Sequence, residues 1–158
     1  MDWYLVLKWL HILSSTVLFG TGIGTAFQMV FAMRTGRVET VHAVASGVVR
    51  ADWLFTAPAG VLQPATGVAL ALVAGYALTE PWLVLTYAAY VLAFACWAPV
   101  VWLQIRIRDL AGRALAEGRP LPEEVQRLYR IWFTLGWPAF GALVGVFWLM
   151  VSKPDFGL

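Results

Sequence analysis

Four apolar stretches dominate this chain, and each is long enough to cross a bilayer as a helix. A spanning helix needs about 20 mostly apolar residues. Residues 3–33 form the first run, broken only by Lys8 and His11, and similar runs occupy about 53–78, 82–105 and 128–151. None carries a charged face along its length, which argues against a soluble helical bundle. Composition agrees: 61% of the residues are hydrophobic and 13% charged, against roughly 45–50% and 25% in a soluble domain. The expected fold is all-α, a single polytopic domain over residues 1–158 built as a four-helix transmembrane bundle. Cys96, the one cysteine, lies within an apolar run, so neither a disulfide framework nor a thiolate metal site is expected. The first run begins at Trp3 with no basic leader and no small-residue cleavage site after it, and reads as a span rather than a signal peptide.

The connections set the orientation. Arg34, Arg37 and Arg50 flank the first, and Arg106, Arg108, Arg113, Arg119, Arg127 and Arg130 flank the third. Nine of the eleven basic residues thus lie on one side, with only Lys8 and Lys153 on the other. The positive-inside rule puts the first and third connections in the cytoplasm and both termini outside. The second connection, Thr79, Glu80 and Pro81, is short and without basic residues, as an outer turn should be. Trp3, Trp9, Trp82 and Trp148 fall near outer ends and are expected in an interfacial aromatic belt.

Beyond the membrane, residues 106–127 are expected to form a polar helical hairpin. Asp109, Arg113 and Glu117 are spaced for i, i+4 pairing, Gly118 is a stop signal, and Pro122 with Glu123 and Glu124 resembles a helix start. Residues 38–49 are weakly amphipathic and are expected at the cytoplasmic interface or as an elbow, with Asp52 a candidate N-cap. Gly20 with Gly24, and Gly141 with Gly145, are small-xxx-small pairs. Packing within the bundle is the expected use, with a homodimer or a partner subunit as the alternative. Pro58, Pro64, Pro99 and Pro138 should bend their helices and leave room inside the bundle.

Among the polar residues, His11 is the most informative. It lies about two turns inside the outer end of helix one, a depth at which ionisable groups are rare and face a bundle interior. At 100° per residue, Lys8, Ser15, Leu18, Gly22 and Thr25 share its sector, so that face should point inward. Two readings stand: a structural histidine bonded to a neighbouring helix, or a metal or haem ligand through a neutral imidazole nitrogen. His42 is about 30 Å away along the helix and cannot share its iron. Thr86, Tyr87 and Tyr90 reach the depth of His11, and Met150 is shallower. A second polar group, Gln28, Arg50, Asp52, Gln104 and Arg106, gathers at the cytoplasmic boundary, where an Arg50–Asp52 ion pair and snorkelling account for it. Gln63 is deeper, and the following Pro64 frees the carbonyl of Gly60. There is no phosphate loop, no H-E-x-x-H and no pair of embedded carboxylates. The cytoplasmic arginines suit anionic lipid head groups rather than nucleic acid, since acids are interleaved among them.

Lys8, Trp9, Leu10, His11 and Ile12 spell K-x-x-H-I. This opening resembles a bacterial membrane superfamily that includes the HemJ-type protoporphyrinogen oxidase and the CopD-like copper-resistance proteins. Over residues 3–152, including the stretch Phe19 to Gly22 and the stretch Asp52 to Pro58, the chain resembles an uncharacterised family of four-helix integral membrane proteins in or near that group. The resemblance implies a bacterial cytoplasmic (inner) membrane and a haem b site with His11 as axial ligand. Lys8 would meet a propionate, and Tyr87, Tyr90 and Trp97 would wall the pocket. Helices two to four carry no lysine before Lys153, unlike the HemJ-type pattern, and no methionine or histidine cluster suits copper. The expected function is a haem-binding electron-transfer or porphyrin-related redox protein. The alternatives are a non-catalytic membrane anchor or scaffold subunit and a transporter of a small solute or metal.

Overall fold

The structure, a computed structural model, describes residues 2–156. It is helical, with no strand among the described residues. Helix α1 spans Trp3–Thr35, α2 Val38–Ala51, α3 Ala57–Val73, α4 Pro81–Ala116 and α5 Glu123–Ser152. Between α2 and α3 the chain makes a π-helical turn, Asp52–Thr56, without leaving the helix. Four rods are long and apolar enough to cross a membrane: α1, the continuous rod Val38–Val73, α4 and α5.

Local chemistry sets the ends. Asp2 caps α1 by accepting from the Tyr4 amide at 3.0 Å, satisfying one of the unpaired donors at a helix start. The second span ends at Val73, short of the expected Leu78, because Gly75 takes a left-handed φ of 78°. The Tyr76 amide then donates back to the Ala71 carbonyl at 2.9 Å, which closes the helix. At the opposite end of the bundle, α4 runs to Ala116, Gly118 turns the chain with φ 61°, and α5 starts after Pro122. Asp109 pairs there with Arg108 at 2.7 Å and Glu117 pairs with Arg119, so Arg113 has no ion-pair partner among the described residues.

The helices form two leaves. α5 packs on α4 and α1 on α3, while α2 packs on α4 and on α1 and so ties the leaves together at one end of the bundle. The main core is built there, around the buried Met29, Val41, Val48, Ile107, Val125 and Trp132. Toward the end that carries the termini the leaves meet through side chains: Phe19 of α1 sits edge-on to Phe140 and Phe147 of α5, with centroids 5.4 and 5.3 Å apart. Residues 38–49, expected at the interface or as an elbow before the second span, form a packed helix continuous with that span, and Val41, Ala45, Val48 and Val49 give it one apolar side against α4.

The outward surface is apolar: Phe27 is 73% exposed and Val151 82%. Water would not tolerate this over four helices, and hydrocarbon does. Trp3, Trp9 and Trp148 are exposed near the ends of α1 and α5 that carry the termini. Trp82 departs from the expected belt. It is buried edge-on against Tyr76, with Lys153 over its ring and bonded to the Tyr76 hydroxyl at 2.9 Å. Nothing lies within 4 Å of a side chain placed at Gly20, Gly24, Gly141 or Gly145. The expected packing of these glycines inside the bundle is therefore corrected, because the leaves touch on other faces.

Candidate functional site

His11 sits between α1 and α3. Its Nδ1 is 2.9 Å from Thr66 Oγ1, and its Nε2 is 3.2 Å from Gln63 Nε2. Gln63 Nε2 can only donate, so His11 Nε2 is the acceptor and Nδ1 carries the proton toward Thr66. Thr66 passes its own proton to the Leu62 carbonyl at 2.8 Å, and Ser14 donates to Gln63 Oε1 at 2.5 Å. Every member of the cluster is thereby satisfied. Gly67 makes room for the ring, since a Cβ there would stand 3.1 Å from His11 Cε1. Gln63 thus finds the partners that its depth demands, and the Gly60 carbonyl freed by Pro64 accepts from the Tyr90 hydroxyl at 2.5 Å.

The remaining sequence candidates do not converge on His11. Lys8 is exposed, with its Nζ 5.5 Å from the Tyr4 ring centroid. The Tyr87 hydroxyl is buried without a hydrogen-bond partner, and its ring packs on the smaller cluster of Ala71, Trp82 and Leu83. Tyr90 and Trp97 line a cavity that starts at Leu18, about two turns below His11. Haem, which the helix-one resemblance implies, needs an imidazole nitrogen free to bind iron and a flat slot beside it. Both nitrogens of His11 are hydrogen-bonded, and the ring edge rests on Gly67. As arranged, the residues do not fit haem. His42 is far off at the α2 end of the bundle, bonded to the Arg108 carbonyl.

The cavity itself is the larger feature. It encloses about 900 Å³ between the two leaves, and its walls are almost wholly apolar, with Phe19, Tyr90, Trp97, Trp132 and Phe140 among them. Trp53, Phe94 and Trp137 stand at its edge and are themselves 62%, 56% and 68% exposed, so the space opens sideways into hydrocarbon. One end is polar. Asp52, 4% exposed, lies there with Thr56 and Gln104, also buried. The Gln104 amide, with its nitrogen toward Asp52, donates to Oδ2 at 2.5 Å and accepts from the Trp132 indole N–H at 3.2 Å. The Thr56 hydroxyl and the Trp97 indole N–H also face the carboxylate, yet neither reaches ordinary hydrogen-bond geometry with any group of the chain.

The π turn builds this pole. Pro58 has no N–H for the Leu54 carbonyl and its ring crowds that turn. The helix widens ahead of it, and the Ala57 amide bonds back to Asp52. Wide turns of this kind recur at functional sites. Here it sets Asp52 and Thr56 inward while Trp53, Leu54 and Phe55 face lipid. The expected Arg50–Asp52 pair is absent among the described ion pairs, and Arg50 is exposed. Asp52 does not cap a helix start either, because α2 and α3 are one rod. The depth match of Asp52 and Gln104 was legible in the sequence; the overlooked signal was Thr56, four residues after Asp52 inside an apolar rod.

No curated protein and no solved structure matches the chain, so the resemblance of helix one to the HemJ and CopD groups rests on its short motif. The family model described as a predicted integral membrane protein (DUF2269) matches residues 5–154, and the chain belongs to that family.

Proposed function

We propose that the protein is a membrane-embedded binding protein for a flat-ringed lipophile whose head carries hydroxyl or carbonyl oxygens, the quinol class being the best chemical match. The carrying observation is the buried Asp52 at the polar end of a 900 Å³ apolar cavity, faced by two donors, Thr56 and Trp97, that do not complete a hydrogen bond of ordinary geometry. Ionisable groups at membrane depth mark binding or transfer sites more often than packing. Cavities of roughly 300–1,000 Å³ with a few convergent polar groups are typical small-molecule sites.

The chemistry of the pole narrows the ligand. A carboxylate has about four lone-pair positions; Gln104 takes one, and Thr56 and Trp97 face it without completing a bond. It calls for a donor. Trp97 Nε1 and Thr56 Oγ1 call for an acceptor. A ring hydroxyl is both. Aromatic walls favour a flat conjugated ring, and the lateral opening lets a tail remain in the bilayer. Gln104 lies roughly 35 Å along α4 from Pro81, and Trp132 roughly 30 Å from Ser152. Across about 30 Å of hydrocarbon, this depth corresponds to the cytoplasmic edge. The site would draw its ligand, head inward, from the cytoplasmic leaflet of a bacterial inner membrane.

The test is equilibrium binding of a radiolabelled short-chain 1,4-naphthoquinol, kept reduced, to protein in lipid nanodiscs. Wild type should bind one molecule per chain. Asp52→Asn keeps an acceptor for Gln104 but loses the charge, and should weaken binding at least about tenfold. Trp97→Phe should weaken it as well. Equal binding by wild type, Asp52→Asn and Trp97→Phe would remove Asp52 from the site and the reading with it.

A further inference from the structure

A second concavity lies on the cytoplasmic side between α2 and α4, about 420 Å³ in volume and lined by His42, Arg106, Arg108, Asp109, Gly112 and Arg113. Three guanidinium groups and an imidazole face one carboxylate, so the hollow has an excess of positive charge. Arg108 is held by Asp109 at 2.7 Å and Arg106 by Glu124 at 3.3 Å, while Arg113 is exposed and without an ion-pair partner among the described residues.

The hollow has a built floor. The His42 Nδ1–H donates to the Arg108 carbonyl at 3.1 Å. The ring lies so close to α4 that a Cβ at residue 112 would stand 2.9 Å from Cε1 and 3.0 Å from Nδ1. A glycine inside a helix is unfavourable relative to alanine by roughly 1 kcal/mol, and here it seats an imidazole against the helix backbone. With Nδ1 committed, Nε2 is the ring's only free polar atom.

Depth names the partner. Arg106 and Arg108 follow Gln104 by roughly 3–6 Å of helix rise, and Arg113 by roughly 14 Å. The phosphate layer of the cytoplasmic leaflet begins where the hydrocarbon ends, so the hollow lies at head-group level. Arginines bind phosphate oxygens in pairs, and basic hollows at this level take anionic head groups. We propose that the hollow formed by His42, Arg106, Arg108 and Arg113 is a binding site for the phosphodiester head group of an anionic lipid of the cytoplasmic leaflet. The site is separate from the cavity at Asp52, and its lining shares no residue with it.

The experiment is native mass spectrometry of the full chain in a neutral detergent, titrated with dioctanoyl phosphatidylglycerol, with dioctanoyl phosphatidylcholine, and with inorganic phosphate. Phosphatidylglycerol should bind in preference to phosphatidylcholine, and millimolar phosphate should compete weakly. Arg113→Gln, on an exposed side chain that the fold does not need, should lower phosphatidylglycerol affinity about fivefold, and Arg108→Gln with Arg113→Gln about 25-fold. Gly112→Ala, which crowds His42, should also lower it, while Arg37→Gln should not. The proposal fails if the two lipids bind equally, if Arg113→Gln and the double variant bind phosphatidylglycerol as wild type does, or if inorganic phosphate fills the site and phosphatidylglycerol does not displace it.

Discussion

At the scale of single residues, His11 and Asp52 exchange the importance that their positions in the sequence give them. A histidine two turns into an apolar run is conspicuous, and its inward direction was legible from helical phase: Leu18, Gly22 and Thr25, its sector mates, do line the cavity. What phase cannot supply is the partner. Gln63 and Thr66 lie some fifty residues on, and only the α1–α3 pairing brings them to the two ring nitrogens. His11→Ala leaves Gln63 without its acceptor and Thr66 without its donor, at a cost of about 1–3 kcal/mol. Thermal unfolding in detergent should register that loss. The same preparations test the haem expectation. With both nitrogens engaged, wild type and His11→Ala grown with ample haem should give identical visible spectra. A Soret band present in wild type and lost in His11→Ala would show that Gln63 yields its place to iron. Asp52 was visible too, grouped with Gln104 at the same boundary, but an aspartate two residues from an arginine suggests a surface ion pair, and nothing in the string brings Thr56 and Trp97 to it.

Among elements, the apolar runs and basic connections made the four spans readable, whereas the join between α2 and α3 was not. Apolar periodicity registers a helix on each side of Asp52. It does not register that Pro58 is accommodated by one wide turn instead of a break, because that choice depends on the packing of Val48, Val49 and Thr56 against neighbours. The glycines divide in the same way. Sequence spacing singled out Gly20, Gly24, Gly141 and Gly145, which face open space, while the close approaches occur at the unremarked Gly67 and Gly112. Small-residue spacing shows which backbones are able to approach closely, and only the tertiary arrangement selects the ones that do. The two classes should separate by alanine substitution. Gly67→Ala presses on a ring pinned by two hydrogen bonds and should destabilise by about 1–3 kcal/mol, as overpacking does. Gly24→Ala meets nothing and should stay within about 0.5 kcal/mol of wild type. Equal stability of the two variants in the same unfolding assay would mean that the α1–α3 seam is looser than its geometry implies.

For the whole molecule, orientation decides what both sites can reach. The two leaves are tied at the α2 end and meet through ring contacts toward the other, so the cavity has a closed polar end and an open apolar one. Which leaflet supplies its ligand depends on which side of the membrane the tied end occupies. Nine of eleven basic residues flank the connections at that end, and several are fixed in place: Arg106 on Glu124, Arg108 on Asp109, Arg119 on Glu117. Pairing does not cancel the orienting signal, because acidic residues contribute little to it. The other end has only Lys8 and Lys153, and Lys153 is engaged over Tyr76 and Trp82. Reporters fused at Gly36 and Gly118 should therefore be active on the cytoplasmic side, and one at Glu80 on the outer side. Both glycines are exposed, and Glu80 lies in the short outer turn, so the fusions should leave the helix packing intact. An outer-side reporter at Gly118 would turn the Asp52 pole and the arginine hollow toward the opposite leaflet. The quinol and lipid measurements in detergent or nanodiscs would still stand, but the leaflet assigned to each ligand would be reversed.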